Sequence, residues 1–135
     1  MNILFFLTPK SQVVCVNSDF TIRQVSEKLK YHHYTAVPIL DKDGKYVGTI
    51  SDGDLFWFIK ENGDFSYKEA EDVLVSTVPL SRNVKPISYS ASMEDLYQLV
   101  LDQNFVPVID DQGIFIGIVT RNQVLKYFYN SKDNN

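Results

Sequence analysis

The chain has a single cysteine, Cys15, and a single tryptophan, Trp57, among 135 residues, and it is short of positive charge. Its 13 lysines and arginines stand against 17 aspartates and glutamates, for a formal net charge of −4. One thiol can close no intrachain disulfide and fits a reducing compartment, so a cytoplasmic location is expected. Without a positive face there is none of the counterion release that drives general binding to nucleic acid or anionic membrane; neither is expected as a partner, and any anionic ligand must be met locally. There is no glycine-rich phosphate loop, no serine or cysteine triad pattern and no paired-carboxylate cleft pattern, so the chain is not expected to be an enzyme. Histidine is scarce as well. His32 and His33 are adjacent, which on a helix separates them by about 100°, and neither has a carboxylate or thiol at chelating spacing. No metal is expected there, and the pair reads as surface or capping residues. Long apolar runs are also missing. The opening Met1-Asn2-Ile3-Leu4-Phe5-Phe6-Leu7 stops at Thr8-Pro9 with no basic stretch before it, so it is expected to be a packing segment, not a membrane span or secretory leader. The polar tail, residues 130–135, is expected to fray.

What is present is the composition of a folded protein: 44% apolar, 13% aromatic and 22% charged residues, at a length that suits one cooperative unit. Sliding the sequence against itself exposes a repeat. Ala36-Val37-Pro38-Ile39-Leu40-Asp41, then Gly44, then Tyr46-Val47-Gly48-Thr49-Ile50-Ser51 is matched by Phe105-Val106-Pro107-Val108-Ile109-Asp110, Gly113 and Phe115-Ile116-Gly117-Ile118-Val119-Thr120. Pro38 and Pro107, Gly44 and Gly113, and Gly48 and Gly117 are all 69 positions apart.

Each half carries the same local signals. Ile22, Val25, Ser26 and Leu29 follow a possible cap at Thr21 with helical spacing, and Met93, Leu96 and Val100 follow Ser92 in the same way. The apolar runs ending in Asp41-Lys42-Asp43-Gly44 and Asp110-Asp111-Gln112-Gly113 read as strands leading into hairpin turns. The pattern in each half is helix, strand, hairpin, strand, helix, with closing helices expected over 53–60 and 122–129. Thr21 to Pro38 spans 17 positions and Ser92 to Pro107 spans 15, so repeat two has a shorter first helix or a tighter exit from it. The fold class is therefore α/β, one module over 1–135: repeat one at about 8–60, repeat two at about 78–129 and a connection at about 61–77. Neither half can cover both faces of its own sheet, so the two sheets are expected to pack about a pseudo-two-fold axis that relates two equivalent clefts. Phe56-Trp57-Phe58 and Tyr127-Phe128-Tyr129 are expected to serve partly as core and partly as an oligomer surface.

The residues with the most chemistry lie where a strand runs into the closing helix. In Gly48-Thr49-Ile50-Ser51-Asp52-Gly53-Asp54, a hydroxyl and free N–H groups at a helix start suit phosphate, and Asp54 could accept from two ribose hydroxyls. The same residues read equally as an N-cap, Ser51, and a first-turn acid, Asp54. The second copy, Gly117-Ile118-Val119-Thr120-Arg121-Asn122-Gln123, replaces Asp54 by Gln123, which can hydrogen-bond a ribose without charge. It also replaces Asp52 by Arg121, whose planar fork of donors suits phosphate if it is not simply a solvated surface residue.

The proline-bearing strand, Asp-x-x-Gly hairpin and Gly-hydrophobic-hydrophobic-Ser/Thr turn, present twice and with Thr8-Pro9 and Val78-Pro79 as lead-ins, resemble the cystathionine-β-synthase (CBS) repeat over nearly the whole chain. Pairs of such repeats form a Bateman module. The resemblance implies an adenine nucleotide held in inter-repeat clefts, one combining Ser51, Asp52 and Asp54 with Lys85, Asn104 and Phe105, the other combining Thr120, Arg121 and Gln123 with Val14, Thr35 and Ala36. Backbone groups near Val14 and Lys85 would meet the adenine edge, and the turn residues would hold ribose and phosphate. The second set, with the shortened first helix of repeat two, is similar to that of stand-alone CBS-pair proteins of Gram-positive bacteria that bind cyclic di-AMP; AMP, ADP or ATP would satisfy the same residues. The function so implied is a regulatory sensor, homodimeric through its helices, that needs no cofactor and acts on an unidentified partner protein in trans, since no enzyme or transporter is attached. The competing expectation is a ligand-free interaction module whose clefts are filled by side chains such as Phe105.

Overall fold

The computed structural model describes residues 1–64, 66 and 68–133. In chain order the regular elements are β1 (Thr8–Pro9), β2 (Val16–Asn17), α1 (Ile22–His32), β3 (Ala36–Leu40), β4 (Tyr46–Ser51), α2 (Asp52–Glu61), β5 (Ile87–Ser88), α3 (Met93–Asp102), β6 (Phe105–Ile109), β7 (Phe115–Thr120) and α4 (Arg121–Asp133). They form two compact units, one of Val14–Asn83 and one of Met1–Val13 with Val84–Asn135.

In the unit of residues 14–83 the sheet order is β2-β3-β4. β2 and β3 are parallel, a pairing no tight turn can make, and α1 supplies the crossover. α1 starts at Thr21, which forms a reciprocal capping box with Gln24. It ends at His33, in the left-handed region at φ 57°, whose N–H reaches the carbonyls of Leu29 and Lys30. His33 is thus a cap, while the His32 ring stacks on Tyr34 with 15° between planes. Pro38 is tolerated in the middle strand because pairing with β2 begins only at Ile39, opposite Val16, so no parallel partner flanks the proline. Pro107 has the same position, since β5 first pairs at Val108.

Both hairpins close as the Asp-x-x-Gly pattern predicts. The Asp41 carboxylate accepts from the N–H of Asp43 and of Lys45, and Asp110 does the same for Gln112 and Ile114. Gly44 and Gly113 take φ values of 83° and 81° that a side chain would resist. Each ladder slips by one residue, between Ile39 and Leu40 and between Val108 and Ile109.

Ile22, Val25 and Leu29 of α1 join Val37, Ile39, Ile50 and Leu55 in this unit's core. Ala70, Val75 and Val78 belong to that core as well, although the sequence reading assigns 61–77 to a connection and Val78 to the start of repeat two. The segment is fastened by main-chain bonds from Ile22 N–H to Val73 O and from Val75 N–H to Phe20 O, both 2.8 Å, and by an Arg23–Glu71 ion pair.

The other unit has a four-stranded sheet of order β1-β7-β6-β5. Its extra strand comes from the chain's start: Thr8 pairs with Ile118 and Pro9 with Gly117, on an edge where a proline costs no ladder bond. The 3-10 turn Ile3–Phe6 ahead of it buries Ile3 and Phe6 in a core with Leu96, Val100, Val106, Val119 and Val124, so the opening segment is indeed a packing element. Both explanations of the shorter repeat-two spacing hold: α3 has 10 residues against 11 in α1, and two residues instead of three lead to the next strand.

The expectation of a frayed tail is overturned for residues 130–133, which continue α4; residues 134 and 135 lie outside the described set. The middle of α4 is anchored by edge-to-face contacts of Tyr127 with Phe5 and Phe6 and of Phe128 with Tyr97. The aromatic runs do divide. Phe58 and Tyr127 pack against the cores, whereas Phe56, Trp57, Phe128 and Tyr129 are exposed. Among the described residues no helix is long and apolar enough to cross a membrane.

Docking of β1 depends on Gly117. A Cβ there would overlap the Thr8 carbonyl oxygen and come within 2.8 Å of Leu7 Cδ1. Gly117→Ala is therefore expected to cost about 1–3 kcal/mol in urea denaturation, with early amide exchange at Ile118. Gly53→Ala, whose Cβ meets only Ser51 Oγ at 3.8 Å, should instead be neutral or gain up to ~1 kcal/mol.

Candidate functional site

In the unit of residues 14–83, β4 ends at Ser51 and α2 begins at the next residue, so the first N–H groups of α2 emerge at the end of the sheet. An open cavity of about 460 Å³ lies there, lined by Thr35, Ala36, Ser51, Asp52, Asp54 and Arg82 among others. The sequence reading divides Thr35 and Ala36 from Ser51, Asp52 and Asp54; within this unit they share one cavity, and the Asp52 N–H donates to Thr35 O at 2.8 Å. Val14 is not among the lining residues and packs partly buried against the core. Trp57, Ser81 and Arg82 also line the cavity and were not anticipated. The only sequence pointer to the last two was the lead-in Val78-Pro79 just before them.

The helix start is already satisfied by the protein itself. Ser51 Oγ accepts from Asp54 N–H at 3.1 Å, Asp54 Oδ2 accepts from Ser51 N–H at 3.0 Å, and Asp52 Oδ1 accepts from Gly53 N–H at 2.7 Å. Asp54 Oδ1 accepts from Ser81 N–H at 3.0 Å. Only 6% of Asp54 is exposed. Burial pushes its carboxyl upward, but hydrogen bonds from Ser81 and Ser51 together outweigh that and hold it below the ordinary aspartate value. The capping alternative for Ser51 and Asp54 is thus realised, with a further tie to Ser81 that only the folded chain could reveal.

In the other unit, Thr120 and Gln123 form the equivalent capping box: Gln123 N–H donates to Thr120 Oγ1 and Thr120 N–H to Gln123 Oε1, both at 3.1 Å. Gln123 Nε2 also donates to Thr8 Oγ1 at 2.9 Å, tying the turn to β1. Asn104 and Phe105 lie beside this turn, through Arg121 N–H to Asn104 O at 2.9 Å and the pairing of Phe105 with Thr120. Phe105 is half-buried. The Arg121 side chain is half-buried and engaged by the protein. Its Nε donates to Val100 O at 2.6 Å and its Nη2 to Leu101 O at 3.3 Å, so the cation caps the C-terminal carbonyls of α3. Lys85 is exposed, and its main chain is held by Gln103, which donates to Lys85 O at 3.0 Å and accepts from Lys85 N–H at 2.8 Å.

The depressed Asp54 carboxyl has a pH consequence. A group whose pKa is lower folded than unfolded contributes stability above its unfolded value, about 3.9 for aspartate, and that contribution is lost as pH falls through the folded value. Asp54→Ala should cost about 1–3 kcal/mol at neutral pH, through the lost cap and the N–H groups of Ser51 and Ser81 left without their acceptor. In urea titrations the gap from the parent protein should narrow near pH 3; a gap constant with pH would show that the charge is not what matters.

A model of the CBS domain matches residues 6–61 and again 72–130. Among solved structures, CbpB in complex with c-di-AMP is similar over 100% of this chain and 91% of its own, at 26% identity and a TM-score of 0.87. CBSX2 in complex with AMP is similar over 97% of this chain and 98% of its own, at 25% identity and a TM-score of 0.74. An L-aspartate semialdehyde sulfurtransferase of Methanocaldococcus jannaschii is 26% identical over 119 residues, which are 88% of this chain but only 22% of that protein. The chain therefore spans about a fifth of that relative's length, and this type of module occurs both in chains of similar size and inside a much longer enzyme. Two matches to the domain model, together covering most of the sequence and coinciding with the two copies of the repeat, establish that the chain belongs to the CBS-domain family.

Proposed function

We propose that the chain is a Bateman module of residues 1–135 that binds an adenine nucleotide as a regulatory ligand and has no catalysis of its own. The observation that carries this reading is the twice-built strand-to-helix turn, Ser51 to Asp54 and Thr120 to Gln123, in a chain similar along its full length to CBS proteins bound to c-di-AMP and to AMP. The adenylate is what those two ligands share. AMP, ADP, ATP and cyclic di-AMP all remain candidates, with the turn residues taking ribose and phosphate. We further propose a cytoplasmic homodimer that answers to the ligand by changing its fit to a partner protein in trans.

Binding on this reading is an exchange. Ribose hydroxyls reaching Asp54 would replace Ser81, and phosphate reaching Arg121 would compete with the carbonyls of α3. Such exchanges shift a conformational equilibrium only by the difference in affinity for the two states. The same commitments favour a second reading, an interaction module without ligand, in which Asp54 and Arg121 are structural and nothing displaces their present partners.

A thermal-shift panel separates the two. At a hundredfold excess over Kd, an adenine nucleotide that binds only the folded state adds about 2.7 kcal/mol, which for a chain of this size raises Tm by on the order of 10 °C. GMP should give no comparable rise, and Arg121→Ala should shrink the nucleotide-dependent rise measured against its own ligand-free Tm. A flat panel across all four adenine ligands would replace this reading by the interaction module.

A further inference from the structure

The Gln103 carboxamide is closed on the main chain of Lys85. Its Oε1 accepts the Lys85 N–H at 2.8 Å and its Nε2 donates to the Lys85 carbonyl at 3.0 Å, with a second contact from Nε2 to Phe105 O at 3.2 Å. An N–H and a C=O offered side by side by one residue form the same donor-acceptor pair as a carboxamide. A carboxamide pairs bidentately with adenine, because the base also presents a ring-nitrogen acceptor beside an amine donor. The Lys85 main chain can therefore be satisfied either by a carboxamide, as here, or by an adenine edge.

The matching position of repeat one has no such device. Lys85 lies two residues before β5, as Val14 does before β2; Gln103 lies two residues before β6, as Tyr34 does before β3. The Tyr34 ring is stacked on His32, and a phenol has one O–H with no adjacent amide to match an N–H and C=O pair. The backbone accounts for the difference. α1 exits through left-handed His33, whereas α3 exits through Gln103 itself in an extended conformation, φ −123° and ψ 135°. The residue lost from the repeat-two exit is what puts a side chain at this point.

We propose that Gln103 is an intramolecular stand-in for an adenine base, which closes the Lys85 edge and leaves base recognition to the Val14 edge, so that the chain takes one adenine and not two. The proposal rests on the nucleotide-sensor reading above. An incoming base at Lys85 gains two hydrogen bonds only by breaking two, so the exchange yields little net affinity.

The test is calorimetric titration of AMP, with GMP as control, into the parent protein, Gln103→Ala and Gln103→Leu, together with amide spectra in which Lys85 is assigned. The expected result is one AMP per parent chain with the Lys85 amide unmoved, and in the variants a second AMP or about tenfold tighter binding, with the Lys85 amide shifting; tenfold is the scale of one to two neutral hydrogen bonds released for the ligand. If the parent binds AMP and the variants bind the same number with the same affinity, the stand-in role is wrong while the sensor reading survives. If neither parent nor variants bind AMP or any other adenine nucleotide, both fall. Should a variant not fold, the parent spectrum decides: a Lys85 amide that moves on adding AMP to the parent overturns the proposal.

Discussion

α2 and α4 each begin at the residue immediately after a strand, with no loop in between. A helix start leaves N–H groups with no partner inside the helix, and here they emerge where the sheet ends. Much of the surrounding polar architecture answers that constraint. Ser51 with Asp54, and Thr120 with Gln123, close reciprocal boxes; Asp52 folds back on the Gly53 N–H; and the residue just before the preceding strand, Thr35 in one repeat and Asn104 in the other, accepts the first helical N–H, of Asp52 or Arg121, by its carbonyl. A turn of this kind is at once a structural necessity and an array of donors suited to anions.

The two repeats solve the same problem with different side chains, and the differences spread outward. Asp54 carries charge and draws in Ser81; Gln123 is neutral, has an amine to spare and draws in Thr8. Each turn thereby holds a segment lying outside its own pair of repeated strands: residues up to 83 close one unit, and the first residues of the chain close the other. Gly117, where β1 passes too closely for any side chain, shows how tightly the second arrangement is drawn. Its counterpart Gly48 meets only the flexible end of Leu80. Equal sequence motifs here carry unequal steric demands.

On the proposed function, polar groups committed in this way would make nucleotide binding a substitution of partners instead of an occupation of vacant ones. Net hydrogen-bond energies are small because each bond made replaces another, so discrimination depends on which protein contacts a ligand reproduces and which it leaves unmade. Asp54, Arg121 and Lys85 all have present partners within their own unit, and each is tied to a neighbouring segment: residue 81, the end of α3, or the exit from it.

The sequence by itself determined the elements. Helical spacing at Ile22, Val25 and Leu29, the Asp-x-x-Gly turns with their positive-φ glycines, and the doubled proline strand are local patterns, and local patterns follow from backbone and side-chain geometry a few residues apart. The cap at Ser51 was legible for the same reason. Tertiary structure alone decided what joins across long separations: β1 pairing with β7 instead of opening repeat one, Ala70 and Val75 entering a core from an expected connection, Val78 joining the core of repeat one instead of opening repeat two, Ser81 reaching Asp54, and Gln103 closing on Lys85. It also brought the Arg121 guanidinium onto the C-terminal carbonyls of α3. None of these has a local signature, because a long-range contact is selected by which surfaces remain uncovered and which donors remain unmet once the local elements have formed.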